Sequence, residues 1–343
     1  MDYRFHFPES SSKRNEMTFK YEPIQPLILL ELCSRIGATR FFDVGANIGF
    51  YSLVATLIPS VNEIYAFEAS RETFDELALN VRINWLNSKI KVENKAVSSE
   101  NGFVTFQIAS SLSGINSVAE TSIHRSELFK DTVSVECIAL DNYADVTDEV
   151  LALKIDVEGH EAHVVRGARK LLSDNICVIQ IEDYGGQDRE TSALLHELGY
   201  TKITTAKNDH YYSNAPVLQD VREVLGCMER AAGRLIDLYL GNWPPPRLVD
   251  ALNVTGDVAN GTARASCQVK QGMFDSAQEL EYAFYIYSNN SKIGQVWYTQ
   301  DANLNFALPD ECRGTEISVR AFVRAKMDPE MKIAHTVKIG RYG

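Results

Sequence analysis

An α/β front segment, its parallel sheet covered by helices on both faces, followed by a C-terminal antiparallel β-sandwich is the fold class this sequence predicts. Three observations carry it. Between residues 40 and 198, short apolar runs alternate with longer helical stretches, the rhythm of a covered parallel sheet. The first of these runs ends on a glycine turn, Gly45 to Gly49. Beyond Pro244-Pro245-Pro246 the helical period disappears, and aromatic and β-branched residues alternate with polar ones.

The elements follow in order. Residues 1–20 are polar and irregular and read as a loop or arm. Residues 24–36 read as a helix, with Pro26 early and a stop at Gly37. Residues 40–44 form a short buried strand, and 50–58 an apolar helix. The pattern repeats as strand 63–67, helix 71–86, and strands 90–94 and 103–108. Strand 151–155 leads to a helix over 160–172, and strand 176–181 to a helix over 188–198. Residues 202–206 and 209–213 read as edge strands, and 217–241 as a last helix. Three consecutive prolines cannot continue it and make a stiff linker. After them, 281–287, 295–299 and 315–323 read as strands separated by turns such as Ser288-Asn289-Asn290. The division is therefore residues 1–243 and 244–343, two domains in a chain of 343 residues.

With 45% hydrophobic and 23% charged residues, the chain can bury a sizeable core. Its net charge of −12, with no Lys/Arg run, speaks against a nucleic-acid substrate. The six cysteines form no C-x-x-C and read as reduced structural thiols. Met1-Asp2-Tyr3-Arg4 does not start a signal peptide, and no apolar run is long enough to span a membrane. A cytoplasmic location is expected.

Four constellations carry chemistry. Asp43-Val44-Gly45-Ala46-Asn47-Ile48-Gly49 closes the first strand, where glycines let the backbone turn beneath a ligand. Asn47 stands where a dinucleotide fingerprint has its middle glycine, which favours a ligand without a pyrophosphate, such as an adenosine bearing a methionine tail. Glu68 ends the next strand, where a carboxylate can accept both ribose hydroxyls, with Ala69 beside it. In Asn94-Lys95-Ala96-Val97 the small residues either pack on an adenine ring or are an ordinary strand end. Lys154-Ile155-Asp156-Val157-Glu158-Gly159-His160-Glu161 puts clustered acids and a histidine at a strand end, where open α/β sheets bind ligands. There Glu158 and Glu161 also suit a helix N-terminus.

These segments, DVGANIGFYS, YAFEAS and LKIDVEGHE in order, resemble the FkbM family of methyltransferases over roughly residues 20–215. The resemblance implies a class I (Rossmann-like) domain that transfers a methyl group from S-adenosylmethionine to an oxygen of a sugar, glycan or small-molecule acceptor. It implies that Asp43, Gly45, Asn47 and Gly49 cradle the methionine part, that Glu68 holds the ribose, and that Asp156 lies beside the methyl donor. Tyr21-Glu22 matches a family Tyr-Glu before the first helix, so Glu22 is expected at the donor.

Methyl transfer is an in-line displacement in which alignment supplies much of the rate, and a base helps a hydroxyl nucleophile. His160 is the first candidate base because imidazole titrates near neutrality; Asp156 or Glu158 either orients it or acts directly. His210 is expected near the mouth of the site. Glu182-Asp183-Tyr184-Gly185 either lines the acceptor pocket or holds a divalent metal with Asp156. Acceptor specificity is expected in loops such as 109–130. Two other readings compete: a glycan-binding or assembly protein that retains a cofactor pocket, and a nicotinamide oxidoreductase. Homo-oligomerisation is left open.

Overall fold

The computed structural model describes residues 4–5, 22–84, 86–109, 116–122, 126–129, 131–182, 189–240, 247–248, 252–269, 279–326 and 328–343. Tyr21, Asp183 to Gly185 and the three-proline linker lie outside the described residues, as does most of the expected N-terminal arm. The chain divides into two compact units, one containing Glu16–Leu77 and Trp85–Pro245, the other Ala78–Asn84 and Pro246–Gly343.

The first unit opens with α1 (Gln25–Ile36), which has Pro26 in its first turn and Gly37 as a left-handed cap. It buries Leu27 through Cys33. Glu31, nearly buried on α1, is held by Arg230 and Arg234 of α8 (Val221–Tyr239). A buried carboxylate is tolerated only with such partners. Between these helices run β1 (Arg40–Val44), α2 (Phe50–Ala55), β2 (Glu63–Phe67), α3 (Arg71–Ile83) and β3 (Ile90–Glu93).

Then come β4 (Ala96–Val97), β5 (Gly102–Ile108), β6 (Ser117–Val118), β7 (Asp131–Ile138), α4 (Leu140–Tyr143) and β8 (Val150–Ile155). The unit ends with α5 (Glu161–Arg166), α6 (Arg169–Ser173), β9 (Ile176–Glu182), α7 (Arg189–Glu197), β10 (Thr201–Ala206) and β11 (Asp209–Ser213), before α8. No helix among the described residues is long and apolar enough to cross a membrane.

Seven strands form one sheet in the order β10-β11-β9-β8-β1-β2-β3. From β9 to β3 all neighbours are parallel, as the apolar runs predict. β11 lies antiparallel between β9 and β10, so the sheet is mixed. Only β10 of that pair is an edge; the hairpin folds back and buries Tyr211 and Tyr212 of β11 in the sheet. Phe42, Val44, Leu153, Ile155, Val165 and Ile179 belong to one apolar core.

The helix expected over 160–172 is two. It breaks after Arg166 because Gly167 presses on the backbone of Ser98: a Cβ there would stand 2.0 Å from the Ser98 carbonyl oxygen. Asp141 of α4 then caps the second half, accepting from the Lys170 and Leu171 N–H groups at 3.0 and 2.8 Å. A second sheet, β4-β7-β5-β6, also departs from the expectation. It includes residues 131–138, which the sequence reading leaves unassigned. That strand is exposed over its first half, so no apolar run marks it.

In the second unit, β12 (Leu252–Ala259), β13 (Thr262–Val269) and β16 (Asn303–Ala307) form one antiparallel sheet. β14 (Leu280–Ser288), β15 (Ser291–Thr299), β17 (Glu316–Ala325) and β18 (Asp328–Arg341) form another, in the order β15-β14-β17-β18. Val254, Ala265 and Leu304 of the first share an apolar cluster with Phe284, Ile286, Val319 and Ala321 of the second. All six cysteines of the chain are buried as free thiols.

Gly167→Ala is expected to destabilise the protein by about 1–3 kcal/mol, because the methyl group meets backbone that cannot step aside. Gly102→Ala, with nothing within 4 Å of the new methyl, is expected to change stability by less than about 0.5 kcal/mol. Urea denaturation midpoints of the two variants check the contrast; equal losses would contradict the close approach.

Candidate active site

The site grows from the turn after β1. Gly45 has φ of +78°, and a Cβ on it would lie 1.8 Å from the carbonyl oxygen of Asp156. Only glycine lets the ends of β1 and β8 come this close. The N–H groups of Gly45 and Ala46 donate to the Phe67 carbonyl at 3.0 and 2.8 Å, tying the turn to the end of β2. Asn47 follows in the left-handed region, at φ +51°, and its N–H donates to Glu68 Oε2 at 2.9 Å. Ser70 N–H donates to Glu68 Oε1 at 2.8 Å. Asn94 Nδ2 donates to the carbonyls of Glu68 and Ala69, which fastens the end of β3 to that of β2.

These strand ends enclose a cavity of about 600 Å³, open mouth included. Its lining brings together Gly45, Asn47, Glu68, Ala69, Ala96, Asp156, Glu158 and His160, all expected from the sequence. Phe67, Thr73, Lys95, Val97 and Val157 also line it, with Phe106 and Val118 of the second sheet and Asn116 just before β6. Of the 109–130 segment, Asn116 and Val118 therefore reach the site.

Four expected residues lie elsewhere. Asp43 is fully buried beneath the turn, where its Oδ2 accepts from Ser52 Oγ at 2.6 Å. Gly49 starts α2 and packs on Leu77. Glu22 accepts from Tyr51 Oη at 2.5 Å. His210 is not part of the lining; it sits in β11 beside Lys202.

Acidic groups accumulate behind the cavity, and one buried cation answers them. Lys154 Nζ is 2.6 Å from Asp156 Oδ2 and 5.0 Å from the centre of the Tyr51 ring. Burial alone would lower the Lys154 pKa, but the carboxylates of Asp156, Asp43, Glu22 and Glu182 hold it above the ordinary value. Burial raises the pKa values of Asp43 and Glu22 despite Lys154. Gln180 Nε2 donates to Tyr51 Oη at 2.9 Å and to Asp209 Oδ1 at 2.6 Å, completing a buried chain from Glu22 to Asp209. Burial, then the neighbouring Glu22, pushes Asp209 up to about 7. Lys154 and Tyr51 stand in the quoted segments without an assigned role, and Gln180 and Asp209 escape the sequence reading. A lysine and a glutamine inside otherwise apolar strands were the available signal, since such groups are rarely buried without partners. Among the described residues, no three His, Cys, Asp or Glu side chains converge as a metal site.

His160 is nearly buried, and both ring nitrogens are engaged. Nε2 lies 2.9 Å from Ser98 Oγ, and Nδ1 2.9 Å from Thr121 Oγ1. Its ring stacks on His163 at 4.4 Å. Burial, then the neighbouring His163 and Arg166, lowers its pKa to about 4, so the imidazole is neutral at pH 7. Glu158 has φ of +55°, and burial, then Asp156 and Glu161, raises its pKa to about 9. Glu161 Oε1 accepts from the N–H groups of Val157 and Gly159 at 3.3 and 3.1 Å, so it fixes the loop.

An adenosine bearing a methionine tail fits these residues. Glu68 lines the cavity, and its carboxylate, held by two backbone N–H groups, is the kind of acceptor a ribose hydroxyl needs. Asn47 Oδ1 is buried with no donor among the described residues, an acceptor that an ammonium group would satisfy. Ala69 and Ala96 supply small apolar wall.

Parts of the chain are similar to known proteins. The family model for the methyltransferase FkbM domain matches residues 43–202. The hexuronic acid methyltransferase AglP of Haloferax volcanii is 26% identical over 172 residues, 49% of this chain and 66% of that protein, just under two-thirds of its length. Among solved structures, a precorrin-6y C5,15-methyltransferase from Geobacter metallireducens is similar at 12% identity and a TM-score of 0.30, covering 53% of this chain and 84% of its own. The METTL16 methyltransferase domain is similar at 12% identity and a TM-score of 0.33, covering 57% and 66%.

The shifted acids set a pH dependence. Unfolded, Glu158 and Asp209 would titrate near 4.5 and 3.8; folded, they keep their protons to about 9 and about 7. The folded state therefore binds more protons, and stability falls as pH rises through those windows. His160 acts with the opposite sign, but only between about 4 and 6.5. The melting midpoint of the ligand-free protein is expected to fall between pH 7 and 9, and Glu158→Gln to flatten that fall. A wild-type midpoint that is constant over this range would contradict the Glu158 environment.

Proposed function

We propose that the protein, whose residues 43–202 match the family model for the methyltransferase FkbM domain, is an S-adenosylmethionine-dependent O-methyltransferase whose acceptor is a hydroxyl of a sugar, surface glycan or secondary metabolite. The seat of Glu68 carries the reading. Two backbone N–H groups from two different turns hold its carboxylate at the cavity wall, at the carboxyl end of β2, where a ribose would be gripped. Asn47, with its side chain at the turn, leaves no glycine gap for a pyrophosphate, which disfavours a nicotinamide dinucleotide. The Haloferax relative, a hexuronic acid methyltransferase by name, supports a sugar acid as acceptor.

When bound, S-adenosylmethionine supplies an electrophilic methyl group on a cationic sulfur. In this reading Asn47, Glu68, Ala69 and Ala96 hold the donor. Asp43 acts from beneath, through Ser52 and the turn, while Glu22 and Gly49 shape the surroundings. Asp156, oriented by Lys154, faces the reacting centre. Glu158 is the proposed proton acceptor: it lines the cavity, its raised pKa makes its ionised form a stronger base than an ordinary carboxylate, and a neighbouring cation favours that form. His160, engaged by Ser98 and Thr121, orients that edge of the acceptor pocket. The two C-terminal sheets are read as one β-sandwich, with the domain boundary at residues 243/244.

Calorimetric titration with S-adenosylmethionine, S-adenosylhomocysteine and NAD tests the donor. Glu68→Ala is expected to weaken S-adenosylmethionine about ten- to hundredfold, the loss of about 1.5–3 kcal/mol typical of a charged hydrogen-bond partner. Unchanged affinity, or tighter binding of NAD, would sink the assignment.

Single-turnover rates with saturating donor separate the candidate bases. Glu158→Gln is expected to lower the rate about 10²-fold or more, and His160→Ala by less. The reverse ranking would return the base to His160.

A further inference from the structure

The second unit carries an aromatic and cationic surface outside the lining of the candidate site. In β17, Ile317, Val319, Ala321 and Val323 enter the core, so Ser318, Arg320, Phe322 and Arg324 lie on the opposite face. The register sets Tyr285 of β14 opposite Arg320. On this face the Tyr285 and Phe322 rings meet at 4.8 Å. Lys292 Nζ stands 4.3 Å from the centre of the Tyr285 ring, and the Arg320 guanidinium 5.3 Å from that of Phe322. The Arg324 guanidinium lies 3.7 Å from the Tyr298 ring, which meets Trp297 edge-on at 5.8 Å. The register of β14 and β15 shifts between Tyr282 and Phe284, so Trp297 and Tyr298 together face Ala283. A bulge of this kind re-aims side chains, and Trp297 emerges 62% exposed.

A solvated sheet face ordinarily carries polar side chains. Here aromatic rings alternate with cations that hold them by cation–π contact, which costs little further ordering on binding. We propose that this outward face of the β15-β14-β17-β18 sheet binds a glycan chain bearing carboxylate groups, with sugar rings lying on Trp297, Tyr298 and Tyr285 and carboxylates meeting Lys292 and Arg320. The inference rests on the sugar-acceptor reading above.

Charge argues for this ligand over a nucleic acid. Arg324 is ion-paired with Glu281 and Lys338 with Glu316, on a chain of net charge −12. A nucleic-acid strand presents a phosphate at every nucleotide and is held by a track of many cations. Sparse cations between rings suit carboxylates spaced along a sugar chain, and guanidinium and ammonium groups pair with carboxylates directly.

The test is affinity electrophoresis of the full chain in gels containing polygalacturonate, dextran or oligo(dT), with calorimetry of S-adenosylmethionine on the same samples. Polygalacturonate is expected to retard the wild type, and dextran much less. Trp297→Ala and Arg320→Ser are each expected to weaken that retention about tenfold or more while melting at the wild-type temperature and binding S-adenosylmethionine normally. The proposal is overturned by an unretarded wild type, by unchanged retention of both variants, by equal retardation in dextran, or by stronger retardation in oligo(dT). A wild-type dimer that the variants dissolve would also overturn it, because the face would then join two copies. Glycan retention in a protein that binds no S-adenosylmethionine would uphold this surface and refute the methyl-transfer reading alone.

Discussion

The first unit depends on the ion pair between Lys154 and Asp156, both on the central strand β8 and its exit. The ammonium is almost fully buried, and its Nζ to Asp156 Oδ2 distance is 2.6 Å. Asp43 and Glu22 share its field, so one cation offsets several carboxylates at the carboxyl ends of adjacent parallel strands. Charges leave water only with such compensation, and removing one partner from a buried pair costs far more than the pair gains over apolar residues. The pair also fixes direction. Asp156 cannot swing into the sheet while Lys154 holds it, so one face of its carboxyl group remains for the cavity, whose wall it forms.

The backbone brings the strand ends to that pair. Gly45 lies against the Asp156 carbonyl, and Asp156 N–H donates to the Val44 carbonyl at 3.0 Å. Glu68 then locks the turn from the other side through Asn47 N–H. Three successive strand ends, of β1, β2 and β8, thus form a single piece of backbone, and Asn94 adds the end of β3. Groups on such a frame hold their positions without a ligand, and alignment is what a displacement reaction most requires.

Much of this was legible in the sequence. The parallel strands announce themselves because both of their faces are buried, which makes runs such as Phe41-Phe42 and Leu151 through Ile155 continuously apolar. The glycine turn, Glu68 and the Asp156 to His160 segment were legible because special backbone angles and clustered charge are rare without cause. What escaped is what sequence distance hides. Gln180 reaches Tyr51, and Asp209 reaches Gln180, only through the fold, and nothing in their own segments signals those contacts. The strands 131–138, 252–259 and 262–269 are partly solvated and interrupted by Asp, Asn, Ser or Gly, so their period is diluted. The break in the helix over 160–172 depends on Ser98, some seventy residues away in sequence, pressing on Gly167.

The same frame explains why this region is costly to fold. Asn47 and Glu158 occupy left-handed backbone without being glycine, and Asp43, Glu158 and Asp209 are acids kept protonated beyond their ordinary range by burial. Each feature opposes folding, and together they sit at or just behind one cavity. Packing that served stability alone would have placed apolar side chains there, which commonly stabilise a core relative to buried charges. In the proposed reading the compensating term is the donor itself. A cationic ligand that contacts this cluster binds the folded state alone, so its binding energy adds to stability, and it draws the raised carboxyl groups toward ionisation. In that reading strain, buried acid and the unsatisfied Asn47 oxygen share a cause, a site that takes a second positive charge beside Lys154.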